Sequence, residues 1–235
     1  MNVLILAAGD SYIDESDHNY PLCLTEINGI SLIQRISDGI PKSINNVIYL
    51  FQEKHIKKFH LDNIVSLLSN AAHKVIPVPE NTAGAACTAL LGVVGLPQSD
   101  PLLIISANQL VDVCYDDFLL RMFEENYDAG TIIFDSIHPR YSYVLLDSSS
   151  LVVEASEKKP ISRNATAGIY WFNKTSDFSE SVKNMIRKDA RVGEAFYICP
   201  SFNELVLNGK RIGVFKVESS QYHPLKSAYQ LDNHL

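Results

Sequence analysis

Along the first half of the chain, short apolar runs rich in β-branched residues alternate with stretches whose apolar positions recur every three to four residues. Residues 3–6, 47–50, 74–78 and 102–106 read as strands, several too uniformly apolar for a sheet with one wet face. Residues 31–37, 53–59, 85–93 and 116–126 carry the helical rhythm. This order predicts a mainly parallel sheet with helices on both faces. Ligands in such sheets gather at the carboxyl ends of the strands. Gly9, Asn81-Thr82 and Asn108-Gln109 fall at those ends, so one rim is expected to collect them.

The second half changes rhythm. Residues 131–134, 143–146, 151–155 and 168–172 form a strand-rich group, followed by helices at 179–188 and 194–207 and a strand at 211–217. Tyr141, Tyr143, Tyr170, Trp171 and Phe172 are expected in the core or lining a pocket. No repeat or low-complexity linker divides the chain, and 235 residues suit one sizeable domain, or one with a small appendage.

Composition narrows the partners. A formal charge of −7, with 27 acidic against 20 basic residues, argues against nucleic acid or an anionic membrane. The basic pairs Lys57-Lys58, Lys158-Lys159 and Lys210-Arg211 are too sparse to reverse that locally. The four cysteines (Cys23, Cys87, Cys114, Cys199) are widely spaced among apolar neighbours, which predicts reduced thiols and a cytoplasmic protein rather than a zinc site or a disulfide framework. The apolar stretch at 3–8 is too short to span a bilayer and has no basic region before it, so neither a membrane span nor a signal peptide is expected.

Four segments carry candidate chemistry. The strand ending in Leu6-Ala7-Ala8-Gly9 leaves backbone amides open to a ligand, although many buried strands end in glycine. In Pro79-Glu80-Asn81-Thr82-Ala83-Gly84-Ala85-Ala86-Cys87-Thr88, Asn81 or Thr82 can cap a helix whose thin first turn admits a base or ribose at Gly84; a capped helix packed closely on a sheet explains it equally well. Ser106-Ala107-Asn108-Gln109 ends a buried strand where Asn108 offers a neutral oxygen to a metal, with Asp112 nearby as a substitute ligand. Glu157-Lys158-Lys159-Pro160, followed by Ala165-Thr166-Ala167-Gly168-Ile169-Tyr170, suits a small phosphorylated ligand: a lysine on the phosphate, Glu157 on a hydroxyl or ammonium, and Gly168 for backbone approach. The alternative is a solvated charge cluster in a hairpin loop.

Taken together, the chain resembles the sugar-phosphate and capsule-type nucleotidyltransferases. The resemblance runs through Leu6-Ala7-Ala8-Gly9, Asn28-Gly29 before Ser31-Leu32-Ile33, Thr82 to Thr88, and His138-Pro139-Arg140-Tyr141-Ser142-Tyr143. It continues through Glu157 to Tyr170, Met185-Ile186-Arg187-Lys188-Asp189, Glu194-Ala195-Phe196-Tyr197, Pro200 and Asn203-Glu204-Leu205. It covers essentially the whole chain and is most like the short bacterial members linked to surface-polysaccharide biosynthesis. It implies a Rossmann-like, GT-A-like three-layer α/β/α fold with a mainly parallel, mixed sheet. Residues 1–235 would form one domain, with a nucleotide-binding half at 1–128 and a substrate-binding half at 129–235. It further implies nucleotide binding by Leu6, Ala7, Ala8, Gly9, Glu80, Thr82, Gly84 and Ala85, and substrate binding by Glu157, Lys158, Lys159 and Gly168. The family reaction joins a nucleoside triphosphate to a small phosphorylated substrate, uses Mg2+ and releases pyrophosphate; a homo-oligomer is a further possibility.

The chain departs from the family where phosphate chemistry is expected. The family's glycine-rich turn closes with an arginine, whereas Gly9 is followed by Asp10-Ser11-Tyr12 and the acidic Asp14-Glu15-Ser16-Asp17. Its Pro-Lys-Pro-Leu becomes Pro21-Leu22-Cys23-Leu24, its metal-binding Asp becomes Asn108, and a late Gly-Thr-Pro-Glu-Asp-Leu pattern becomes Lys226-Ser227-Ala228-Tyr229-Gln230-Leu231. The first Lys or Arg of the chain is Arg35, with five acidic residues ahead of it. One well-placed donor is worth about 3 kcal/mol of barrier, so losing three is expected to cost many orders of magnitude unless His18, Arg140 or another subunit supplies charge. Three functions therefore stand open: an active nucleotidyltransferase with a rearranged site, a catalytically impaired relative that binds a nucleotide-sugar, phosphorylated ligand or partner enzyme, and glycosyl transfer from a nucleotide-sugar. No residue is assigned a catalytic role.

Overall fold

The computed structural model describes residues 1–9, 20–44, 46–68, 72–80 and 82–225. Asn81, the acidic tract at 10–17, His18 and the 226–231 segment lie outside the described residues. The first half contains β1 (Asn2–Ala7), β2 (Glu26–Ile27), β3 (Ile30–Ser31), α1 (Leu32–Gly39), β4 (Asn46–Gln52), α2 (Glu53–Phe59), α3 (Leu61–Leu68), β5 (Ala72–Val78), α4 (Ala85–Gly92), β6 (Leu102–Ser106), β7 (Gln109–Val111) and α5 (Tyr115–Glu124). The second half adds β8 (Ala129–Asp135), β9 (Ser142–Leu146), β10 (Val152–Glu157), β11 (Asn164–Phe172), α6 (Thr175–Arg187), α7 (Phe202–Leu207), β12 (Ile212–Lys216) and β13 (Tyr222–Pro224).

Both halves build one nine-stranded mixed sheet. β5, β4, β1 and β6 run parallel, as the strand–helix alternation predicts. β11 then enters antiparallel beside β6 and also pairs with β8 and β9. β6 ends at Ser106, and β9 takes up the pairing with β11 beyond it, at Ala165. A register shift in β11 between Thr166 and Tyr170 brackets Gly168, whose φ is +70°. Side chains alternate across the sheet: Val3 and Ile5 join one apolar layer with α1, α3 and α5, while Leu4 and Leu6 join the other with α4, α6 and α7. The result is the expected three-layer α/β/α architecture.

Some local expectations change. α2 ends at His60, in the left-handed region at φ 52°, and α3 starts immediately after it; the residue pattern announces only the first of these two short helices. The helix expected at 194–207 is helical only from Cys199, first as a 3-10 turn and then as α7. Ahead of it, the Phe196 amide bonds to the Ala83 carbonyl at 2.8 Å and the Phe196 carbonyl takes the Ala86 amide at 3.0 Å. Pairing with the start of α4 uses backbone groups that a helix would need internally.

Candidate functional site: a two-chambered cleft

The carboxyl ends of β1 and β6 and the start of α4 frame a cavity of about 270 Å³. All eight residues expected on the nucleotide side line it, from Leu6 to Gly9 and at Glu80, Thr82, Gly84 and Ala85, together with Leu22, Cys23, Thr88, Ser106, Ala107 and Asn108. Gln52 is buried at the end of β4 and donates from Nε2 to the Ala8 carbonyl at 2.9 Å, holding the exposed end of β1 in place. A second cavity of about 170 Å³ shares Ala85, Ser106 and Asn108 with the first. Its wall includes Glu157, Gly168 and Arg140 with a set of hydroxyls from Ser142, Thr166, Tyr170, Tyr197 and Tyr222.

Two glycines have partners that the sequence does not reveal. A Cβ on Gly84, at φ +105°, would lie 2.5 Å from the Phe196 carbonyl oxygen and 2.8 Å from its amide nitrogen. The glycine is required by this backbone crossing, and it stands at the start of α4 as a cap with no side-chain hydrogen bond. Thr82 does not cap the helix either: its hydroxyl bonds to the Thr88 hydroxyl at 2.7 Å. A Cβ on Gly168 would overlap the amide of Gln109. Buried Gln109 donates to the Ala167 carbonyl and accepts from the Tyr222 hydroxyl at 3.1 Å, tying β7, β11 and β13 together under the second cavity.

Charge separates the chambers. Among the described residues, the first cavity has no Lys, Arg or His on its wall. Its one carboxylate, Glu80, pairs with Lys54 at 3.0 Å, and burial pushes the Cys23 thiol up to about 12, leaving it neutral. Leu22 lines the cavity at the position where the family resemblance places a lysine. In the second cavity Glu157 is buried and accepts from the Ser142 hydroxyl, and the Thr166 and Tyr170 hydroxyls meet at 2.9 Å. Lys158 does not line it: its Nζ donates to the Tyr197 hydroxyl at 2.8 Å, which raises its pKa, and lies 5.0 Å from the centre of that ring. Lys159 is exposed and lines neither cavity.

The two residues considered for a metal are separated. Asn108 stands where the cavities join, with its Oδ1 buried and without a hydrogen-bond partner among the described residues. Asp112 lines neither cavity and pairs with His223 at 2.7 Å beside the β7–β13 ladder. Magnesium prefers an octahedron of hard oxygens that usually includes one or two carboxylates. Of the carboxylates on the cavity walls, Glu80 is held by Lys54 and Glu157 by Ser142. No group of three or more His, Cys, Asp or Glu converges among the described residues. Among the described residues, one neutral orphan oxygen does not fit a magnesium site of the protein's own.

The sheet order, the three layers and the position of the cleft define the nucleotidyltransferase fold. The structural neighbours are proteins of that kind: a nucleoside-diphosphate-sugar pyrophosphorylase from Vibrio cholerae RC9 superposes with a TM-score of 0.86 over 99% of both chains, at 17% identity. An inositol-1-phosphate CTP transferase from T. maritima gives 0.75 at 14% identity, covering 97% of this chain and 90% of its own. A structure assigned as a glucose-1-phosphate thymidylyltransferase from Bacillus anthracis gives 0.74 at 15%, covering 99% and 93%. At such identities the likeness establishes the fold. No protein-family profile and no curated protein matches the sequence. Among the described residues, no helix is long and apolar enough to cross a membrane.

Proposed function

We propose that the protein is a nucleotidyltransferase that takes a nucleoside triphosphate in the first cavity and a small phosphorylated sugar or related metabolite in the second. The observation that carries this reading is the junction of the two cavities at Ala85, Ser106 and Asn108, on the strand-end rim of a nucleotidyltransferase fold. A phosphate oxygen of the second substrate would attack the α-phosphorus in line. The new P–O bond forms as the bond to pyrophosphate breaks, and pyrophosphate leaves with the displaced electron pair. The small side chains of Ala7, Ala8 and Ala85 leave room for base and ribose, while Glu157 and its hydroxyl neighbours suit a polyhydroxylated group. Residues 1–128 would then serve the nucleotide and 129–235 the second substrate, in a cytoplasmic step of surface-polysaccharide assembly.

A second reading is favoured by a specific observation: Leu22 and Asn108, the positions of the expected lysine and aspartate, both face the first cavity as neutral side chains. A triphosphate gains little there, and a catalytically impaired protein binding a nucleotide-sugar is the alternative. Calorimetric titration with each nucleoside triphosphate, with and without magnesium, then with the matching diphosphate and nucleotide-sugars, separates the two. Magnesium-dependent binding of one triphosphate followed by pyrophosphate release with a sugar phosphate supports transfer. Binding of nucleotide-sugars alone supports the impaired protein, and binding of none of these removes both.

A further inference from the structure

We infer that Arg140, and not Lys158, holds the phosphate of the second substrate; this deepens the proposed reading of the second cavity and rests on it. Among the described residues, Arg140 is the single Lys, Arg or His on the wall of either cavity. It is half-buried and moored from two sides. Its Nε donates to His138 Nδ1 at 3.3 Å, and its guanidinium lies 5.5 Å from the centre of the Tyr141 ring. The turn beneath is fixed as well: the buried Tyr143 side chain donates its hydroxyl to the His138 carbonyl at 2.6 Å, and the Tyr141 amide bonds to the same carbonyl at 3.2 Å.

That mooring consumes one of the five guanidinium N–H groups. The Nη1 and Nη2 donors make no hydrogen bond among the described residues and form the planar fork that fits two phosphate oxygens. Lys158 is not on the cavity wall, and its ammonium is turned to the Tyr197 hydroxyl and ring. Glu157 and the hydroxyls on the same wall suit the polyhydroxyl end of such a ligand, which leaves its phosphate to Arg140. The ligand class is a phosphate monoester of a hydroxylated small molecule, recognised bidentately.

The test is calorimetry on the full chain with inorganic phosphate, glucose 1-phosphate and glucose, using wild type, Arg140→Ala and Arg140→Lys. Wild type is expected to bind both phosphates, and glucose 1-phosphate at least tenfold more tightly than glucose. Arg140→Ala should abolish the phosphate binding and that preference, and Arg140→Lys should restore part of each, since an ammonium supplies charge without the fork. Circular dichroism checks that the variants are folded. Arg140→Ala that keeps the preference overturns the inference, as does a wild type that binds neither phosphate. Pyrophosphate release is scored separately. Loss of phosphate binding in Arg140→Ala with no turnover in wild type sinks the transfer reaction alone; turnover that survives with the preference intact sinks the inference alone.

Discussion

The two chambers are cut from one rim of one sheet, yet their walls differ in charge and in the size of their side chains. The first is walled by Ala7, Ala8, Gly9, Leu22, Cys23 and Ala107, and among the described residues its charge is confined to Glu80. The second concentrates Arg140, Glu157 and several hydroxyls in a smaller space. A neutral wall of small residues gives shape and backbone donors, which suits a base and ribose. A charged wall gives orientation, which suits a phosphate ester. On the proposed reading, the fold would supply the place for a reaction between the two, while the side chains would set how much charge that reaction can stabilise.

The largest expected effect breaks the first chamber through its scaffold. Gly84→Ala drives a Cβ into the Phe196 backbone at a left-handed φ, and neither side can yield cheaply. Chemical denaturation should show a loss of about 3 kcal/mol or more, drawn from backbone strain and lost hydrogen bonds. Gly168→Ala should cost less, because its obstacle is the Gln109 side chain, which can rotate away and leave the Ala167 carbonyl short of a donor. Equal losses for the two would remove this distinction between the chambers.

A smaller effect sharpens the contrast in charge. Leu22→Lys combined with Asn108→Asp should raise magnesium-dependent triphosphate affinity by about tenfold or more, roughly 1.4 kcal/mol, measured by calorimetry. No gain would mean that the first chamber differs from its relatives beyond these two positions.

Below that lies Asn203→Ala. The Asn203 side chain accepts the Ala155 amide and donates to the Ala155 carbonyl, both at 2.8 Å, bracing edge strand β10 two residues before Glu157. The two hydrogen bonds lost should together cost about 1–2 kcal/mol in stability. The substitution should also weaken glucose 1-phosphate binding while leaving nucleotide binding alone.

The smallest effect is chemical. With its thiol pushed up to about 12, Cys23 stays protonated at pH 8 and should resist iodoacetamide, whereas exposed Cys114 should react first by peptide mass mapping. Rapid labelling of Cys23 would mean that the first chamber is wetter than its wall implies.

Much of this architecture was legible from the pattern of residues. The apolar, β-branched runs at 3–6, 47–50 and 102–106 read as strands, several too uniformly apolar for a sheet with one wet face, and they form the parallel centre of the sheet. Leu6 to Gly9, Glu80, Thr82 and Ala85 meet at one cleft because strand ends in such a sheet lie side by side. What stayed hidden was short or distant. β7 and β13 have three residues each, too few for a period to register, and each finds its partner more than a hundred residues away.

The sequence by itself determined the layers, the rim and the neutral character of Leu22 and Asn108, because these depend on residue type and local period. Only the tertiary structure decided what the glycines and lysines are for. Gly84 answers to Phe196, Gly168 to Gln109, and Lys158 to Tyr197, while Arg140 is, among the described residues, the cation on the wall of the two-chambered cleft. These pairings join groups far apart in sequence, and their geometry depends on how the packed layers bring the chain ends of separate strands to within hydrogen-bond reach.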